Sequence, residues 1–367
     1  MAGGSCTASA EGPDRNESPP MSANVVISPV RRRERLPGEM VPVIPDVVMS
    51  YAMASDLVNM TPAARHRILH LSDPHVTASG FDQGGVDAAA ALDRILTDAR
   101  HVPDLDLVVV SGDIADDGSE AGCAAVLDRV GRFAAERGIP HVYSTGNHDT
   151  REAFATVLGS GHRGPDGSDI GTLAPDVDGE RAAVSDIGGL RVITLDSLVP
   201  GSIYGRIGPA QLAWLRDVLA LPAPAGSIVV FHHPPVYLEQ SPWMPGFVLR
   251  GPEQLGAVIE GSDVRLVLCG HVHHQMSGVL AGVPVCATPG IVTRIDQTAP
   301  PHRVRAVKGA GATVVDLGGP FSPLCHIIQA RDPAAGEQVY EVDPVAEWVD
   351  DDYDDSVAAS GSVGERT

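Results

Sequence analysis

Residues 106–118 read DLVVVSGDIADDG, a short run of β-branched residues closed by Ser111, Gly112 and Asp113. A run this short, apolar throughout and bounded by turn-formers, reads as a strand buried on both faces. Its carboxyl end is where open α/β sheets present groups to a ligand. The same pattern recurs on either side, in RILHLSD (67–73), HVYSTGNHD (141–149), RVITLDS (191–197), SIVVFHHPP (227–235) and VRLVLCGHVH (264–273). Helical patterns over 86–100, 119–137, 209–220 and 252–260 separate several of these runs. Strands alternating with helices predict a layered α/β sandwich with the helices outside. No internal repeat is visible.

Composition narrows the class. The chain has 367 residues, 43% hydrophobic and 20% charged, which excludes a wholly disordered, collagen-like or coiled-coil protein. No apolar run approaches the roughly 18 residues that a spanning helix needs, so no transmembrane segment is expected. The formal charge of −21 is uneven, with −9 on residues 331–367, −1 on 1–65 and −11 on 66–330. An acidic body makes nucleic acid or an anionic membrane a poor partner, because affinity for those surfaces rests on Lys and Arg.

Five widely spaced cysteines without a C-x-x-C pair fit a reducing compartment rather than a disulfide framework. The first residues carry no signal-peptide pattern. Arg31–Arg33 followed by MVPVIPDVVMSYAMASD has the outline of a twin-arginine export signal, but Pro42, Pro45 and Asp46 interrupt it, and the expected location is cytoplasmic. Residues 1–65, rich in Pro, Ser, Gly and Arg, read as a flexible leader, 66–330 as one catalytic domain, and 331–367 as an acidic, disordered tail. The Gly- and Asp-rich stretch 159–180 reads as a surface excursion, with a lid over the site as the sharper alternative.

Chemistry-bearing residues cluster at the run ends: Asp73-Pro74-His75, Gly112-Asp113, Gly146-Asn147-His148-Asp149, His232-His233-Pro234-Pro235 and Gly270-His271-Val272-His273. One Asp after a strand is commonly a helix N-cap, and one His among fourteen is commonly a hydrogen-bonded core or surface residue. Five such ends in one chain need a shared explanation, since buried charges are tolerated only with partners or metals. Carboxylate and amide oxygens mixed with imidazole nitrogens suit Mn, Fe, Zn or similar divalent ions, and the lack of a cysteine ligand argues against a structural zinc.

The ordered set D-x-H, G-D, G-N-H-D, H-x-P, G-H-x-H resembles the calcineurin-like metallophosphoesterase superfamily over residues 67–330. The resemblance implies a four-layer α-β-β-α sandwich of two mixed β-sheets with a two-metal centre. By that resemblance Asp73, His75 and His273 bind one divalent ion and Asn147, His232 and His271 the other. Asp113 bridges them, and His148 is the catalytic histidine. Iron or manganese is the expected pair, with Zn, Co or Mg as alternatives. Phosphodiesters are anionic and resist hydroxide, and two divalent ions about 3.5–4 Å apart both neutralise the phosphate and acidify a shared water. The expected nucleophile is therefore a metal-bridging hydroxide. Asn147, His148 and His233 are the candidate substrate contacts, and Asp149 either orients His148 or caps the next segment.

Within the superfamily the text departs from the protein Ser/Thr phosphatases, whose G-D-x-V-D-R-G and R-G-N-H-E blocks here read GDIADDG and TGNHD, without the arginines. It also lacks the tyrosine ligand of purple acid phosphatases. LSDPH, GDIADDG, GNHD, HHPP and GHVHH look most like the bacterial cyclic-nucleotide phosphodiesterase branch, which implies hydrolysis of 3′,5′-cyclic AMP or a related diester to the monophosphate. The rivals are a glycerophosphodiester, a nucleotide-sugar pyrophosphate, or a non-catalytic scaffold of the same fold. Related enzymes pair, so a homodimer is among the expectations. The segment 236–252, with Trp243 and Phe247, is open to three readings: dimer contact, substrate wall or ordinary loop packing.

Overall fold

The computed structural model describes residues 65–175 and 177–344. The leader up to residue 64, with its export-signal outline, and the stretch 345–367 lie outside the described residues. The amino-terminal half runs β1 (His66–Leu71), α1 (Ala88–Ala99), β2 (Leu107–Ser111), α2 (Glu120–Ala135), β3 (His141–Ser144), α3 (Arg151–Leu158), β4 (His162–Arg163), β5 (Thr172–Leu173), β6 (Ala183–Ile187) and β7 (Leu190–Thr194). It continues with α4 (Pro209–Val218), β8 (Ser227–Val230), α5 (Pro252–Ile259), β9 (Val264–Cys269), β10 (Met276–Leu280) and β11 (Val283–Ala287). The described chain closes with β12 (Arg294–Ile295), β13 (Val304–Val307), β14 (Gly311–Leu317), β15 (Leu324–Gln329) and β16 (Gln338–Val342).

Two mixed sheets result, ordered β15-β14-β1-β2-β3-β4 and β10-β11-β9-β8-β7-β6-β5. Side chains alternate between faces along a strand, and that alternation builds the layers. In β1, Leu69 and Leu71 pack under α1 and α2, whereas Ile68 faces the second sheet. In β8, Val229 turns outward toward α4 and α5, and Ile228 and Val230 meet Ile68, Val109 and Val142 of the first sheet. The order α-β-β-α follows, with both faces of each central strand buried, which is why those strands read as continuous apolar runs.

Helix starts obey local chemistry. Ser119 accepts the Gly122 N–H to cap α2, and Asp87 accepts that of Ala90 to cap α1. The short α3 went unread in the sequence, although Thr150 capping Ala153, with Glu152 in the first turn, is a recognisable start signal. The excursion 159–180 contributes only the two-residue strands β4 and β5, and none of its described residues lines the site cleft.

The carboxyl-terminal boundary expected at residue 330 has to be moved. β16, inside the supposed disordered tail, pairs antiparallel with β13 in a third sheet, β12-β13-β16. Three of the acidic residues described there have cationic partners: Asp332 meets Arg94 at 2.8 Å, Glu337 meets Lys308 at 3.1 Å and Glu341 meets Arg305 at 2.8 Å. Charge composition alone misreads a segment whose carboxylates have arginine and lysine partners on the body. No helix among the described residues is long and apolar enough to cross a membrane.

Candidate metal centre

The carboxyl ends of strands from both sheets open onto one cleft of about 490 Å³. Asp73 and His75 follow β1, Asp113 follows β2, Asn147 and His148 follow β3, His232 follows β8, and His271 and His273 follow β9. All eight of these residues therefore leave their strands at the same edge of the sandwich.

Five of them are held in an unfavourable backbone conformation. Asp73, His75, Asp113, His271 and His273 have φ of 56°, 47°, 49°, 71° and 47°, a region that costs a non-glycine residue on the order of 1–3 kcal/mol. Hydrogen bonds between the loops impose it. Asp73 accepts the His271 N–H at 3.1 Å, and Asp113 Oδ1 accepts that of His148 at 2.9 Å. Asp149, buried, accepts the N–H groups of Ile114, Ala115 and Gly146 at 2.9–3.1 Å. Burial and the nearby Asp113 charge raise the Asp149 carboxyl to about 7. Asp149 thus neither orients the His148 ring nor caps α3; it clamps the Asp113 loop to the Asn147 loop. Two glycines make the close approach feasible. Gly112, at φ +94°, leaves no room for a Cβ beside the His232 ring, and a Cβ on Gly146 would collide with Asp113.

Imidazole hydrogen bonding fixes which nitrogen faces the cleft floor. His75 Nδ1 donates to Asp116 at 2.7 Å, and His232 Nδ1 donates to the Ser111 carbonyl at 2.7 Å. His273 Nδ1 lies 2.8 Å from the Thr293 hydroxyl. Each Nε2 is then directed at carboxylates: His232 to Asp113 at 3.1 Å, His75 to Asp113 at 3.4 Å, and His273 to Asp73 at 3.3 Å. The Nε2 atoms of His75 and His273 also face each other at 3.2 Å. A neutral imidazole lone pair beside a carboxylate oxygen is repulsive unless a proton or a cation lies between them.

The charge states fit that requirement. Burial opposes ionisation of Asp73 and Asp113, yet the surrounding imidazoles hold both carboxyls below the usual range. Burial likewise opposes charge on His232, but Asp113 and Asp73 push it up to about 9. A cation bound there would displace that proton. Burial and neighbouring imidazoles keep His271 neutral. Among the candidate ligands, two buried atoms lack any hydrogen-bond partner, Asn147 Oδ1 and His271 Nε2. Unsatisfied buried acceptors are costly, and a divalent ion satisfies both types at once. Ligand atoms of Asp73, His75 and His273, and of Asp73, Asp113 and His232, fall within 4.8 Å of one another in each set.

His148 stands apart from this floor. Its side chain is 38% exposed at the cleft rim, and its Nδ1 donates to Asp116, 3.1 Å from both the carbonyl and the carboxylate. Burial disfavours its charge, but Asp113 and Asp116 overcome this and raise it to about 10. Asp116 therefore serves two histidines, His75 and His148. It went unnoticed in the sequence reading, although GDIADDG places it one turn beyond Asp113. His233, expected as a substrate contact, is corrected: it is fully buried, bonded to Ser197 at 2.8 Å, and does not line the cleft. Its ring instead backs His271, with centroids 4.4 Å apart. Trp243 and Phe247 border the cleft and are also packed into the core beneath it, at 6% and 5% exposure.

The calcineurin-like phosphoesterase family model matches residues 66–275. A Rhodococcus erythropolis protein named "Probable cyclic nucleotide phosphodiesterase" is 39% identical over 230 residues, 61% of this chain and 70% of that protein. A cAMP/cGMP dual specificity phosphodiesterase of Mycobacterium tuberculosis is 34% identical over 257 residues, 68% of this chain and 74% of that one. The 3′,5′-cyclic adenosine monophosphate phosphodiesterase CpdA of Pseudomonas aeruginosa is 30% identical over 260 residues, 66% of this chain and 86% of that one.

Proposed function

The chain belongs to the calcineurin-like phosphoesterases, and from that premise we propose that it is a phosphodiesterase hydrolysing 3′,5′-cyclic AMP or a closely related cyclic nucleotide to the monophosphate. The observation that carries this reading is the floor of the cleft, where Nε2 atoms and two buried, ionised carboxylates converge beside the unpartnered Asn147 Oδ1. Asp73, His75 and His273 would hold one divalent ion, and Asn147, His232 and His271 a second, with Asp113 shared. The mixed O/N set suits Mn, Fe, Zn or a similar divalent ion, and the family resemblance points to iron or manganese among them. Bound there, such ions supply neutralisation of the phosphate charge and acidification of water.

The chain's own residues do the rest. Asp113 has two oxygens and one charge, and its Oδ1 already fixes the His148 backbone. Asn147 brings a neutral oxygen, which leaves the second position short of negative charge and receptive to a phosphate. His148, with Nδ1 committed to Asp116, presents Nε2 at the rim, where it can give a proton to the departing 3′-oxygen. Asp116 keeps His75 and His148 in the required tautomers, the role of a positioning residue.

The test is an assay of the full chain supplemented with Mn²⁺ against cyclic AMP, bis-p-nitrophenyl phosphate and a glycerophosphodiester. Turnover of cyclic AMP with a kcat/KM at or above about 10⁴ M⁻¹s⁻¹ is the expected result. No turnover of cyclic AMP, with fast turnover of another diester, would overturn the assignment.

A further inference from the structure

Above its polar floor the cleft turns apolar, and part of that wall comes from outside the family's matched segment. Tyr340 of β16, together with Ile295 of β12 and Val304 of β13, lines the same space as His75, Asp116 and His148. Register explains why. Ile295 pairs with Ala306, and Ala306 with Tyr340, so these residues share one face of the small sheet; Val304 opposite Val342 extends it. The other face carries Arg305, bound to Asp296 at 3.0 Å and to Glu341 at 2.8 Å, which ties the three strands together. Tyr340 is thus presented from a braced element, at low cost in ordering when a ligand arrives.

Among the cleft aromatics, Trp243 and Phe247 are only 6% and 5% exposed and stack edge to face at 5.2 Å. Tyr340 is half-buried and near enough to Asp82 and Asp116 for their charges, added to burial, to raise its hydroxyl to about 12. A phosphate or a glycerol headgroup engages the polar floor and leaves the apolar wall in water. A nucleotide brings an aromatic face to cover it, and stacking on an aromatic side chain tolerates any base.

We propose that Tyr340 is the platform on which the substrate's nucleobase stacks, so that strand β16 gives the site its preference for nucleotides over phosphodiesters without a base. This rests on the phosphodiesterase reading above. Calorimetric titration of the Mn²⁺-supplemented full chain with 5′-AMP and with ribose 5-phosphate isolates the base, since the two ligands share sugar and phosphate. The expected result is about tenfold tighter binding of 5′-AMP. That advantage should fall to within about twofold in Tyr340→Ala, with ribose 5-phosphate affinity unchanged, and persist in Tyr340→Phe. With cyclic AMP, Tyr340→Ala should raise KM about tenfold and leave kcat within about threefold.

The proposal is overturned if 5′-AMP has no advantage in the unsubstituted chain. It is equally overturned if the advantage survives Tyr340→Ala, or if that substitution weakens both ligands equally. Absence of cyclic AMP turnover with the 5′-AMP advantage intact would sink the assigned activity and leave the base platform standing.

Discussion

Asp113→Ala is expected to bring turnover down by at least about 10⁴-fold and to lower bound metal from two ions per chain to one or none. Asp113 lies closer than Asp73 to the Nε2 atoms of both His75 and His232, at 3.4 and 3.1 Å against 4.0 and 3.8 Å, so it is the carboxylate best placed between the two halves of the floor. Its removal deletes the charge that would be shared between two cations, and a site without that charge binds neither well. Each lost 1.4 kcal/mol of transition-state stabilisation is a tenfold loss of rate, and a metal-assisted hydrolysis draws several such increments from its ions. The same substitution strips the acceptor from the His148 N–H, so Asp113→Asn is the sharper companion. It keeps one oxygen for that N–H while removing the charge. Metal content and turnover should fall in both variants; if either keeps two ions per chain, the bridging role is wrong.

His148→Ala should separate catalysis from metal binding. The backbone N–H of His148 bonds Asp113, which alanine retains; its ring packs edge-on against His75 at 4.6 Å and reaches Asp116, but places no atom between the candidate ligands. Metal content should therefore stay at the level of the unsubstituted chain while kcat drops by about 10² to 10⁴, the usual worth of a positioned general acid. Elemental analysis and steady-state kinetics on one preparation read both quantities. Loss of metal in this variant, or a kcat within about tenfold of the unsubstituted chain, would show that the proton donor lies elsewhere.

Particular residues show what was legible in the sequence. Strands β1, β2, β3, β7, β8 and β9 were readable because both of their faces are buried, leaving unbroken apolar runs that end in polar residues at the cleft. The eight candidate ligand and proton-donor positions were readable for the same reason, since each directly follows such a run. Asp116 and Asp149 were less so: what distinguishes them is a hydrogen bond to a residue 32 to 41 positions away, which no local pattern encodes. His233 looked equivalent to His232, but its ring turns behind the floor to Ser197.

β16 was hidden by composition. Asp332, Glu337 and Glu341 read as part of a self-repelling acidic tail until Arg94, Lys308 and Arg305 are seen to receive them. The left-handed backbone at Asp73, His75, Asp113, His271 and His273 was hidden too, because loops on different strands impose it on one another.

Seven side chains, Asp73, His75, Asp113, Asn147, His232, His271 and His273, are expected to act as one cage for two cations. Metal analysis by mass spectrometry of the chain, purified without chelators and supplemented with Mn²⁺, measures this directly. Two ions per chain, reduced to one or none in Asp113→Ala and retained in His148→Ala, is the predicted result. A chain that stays metal-free under those conditions, or holds its ions unchanged when Asp113 is replaced, would contradict it.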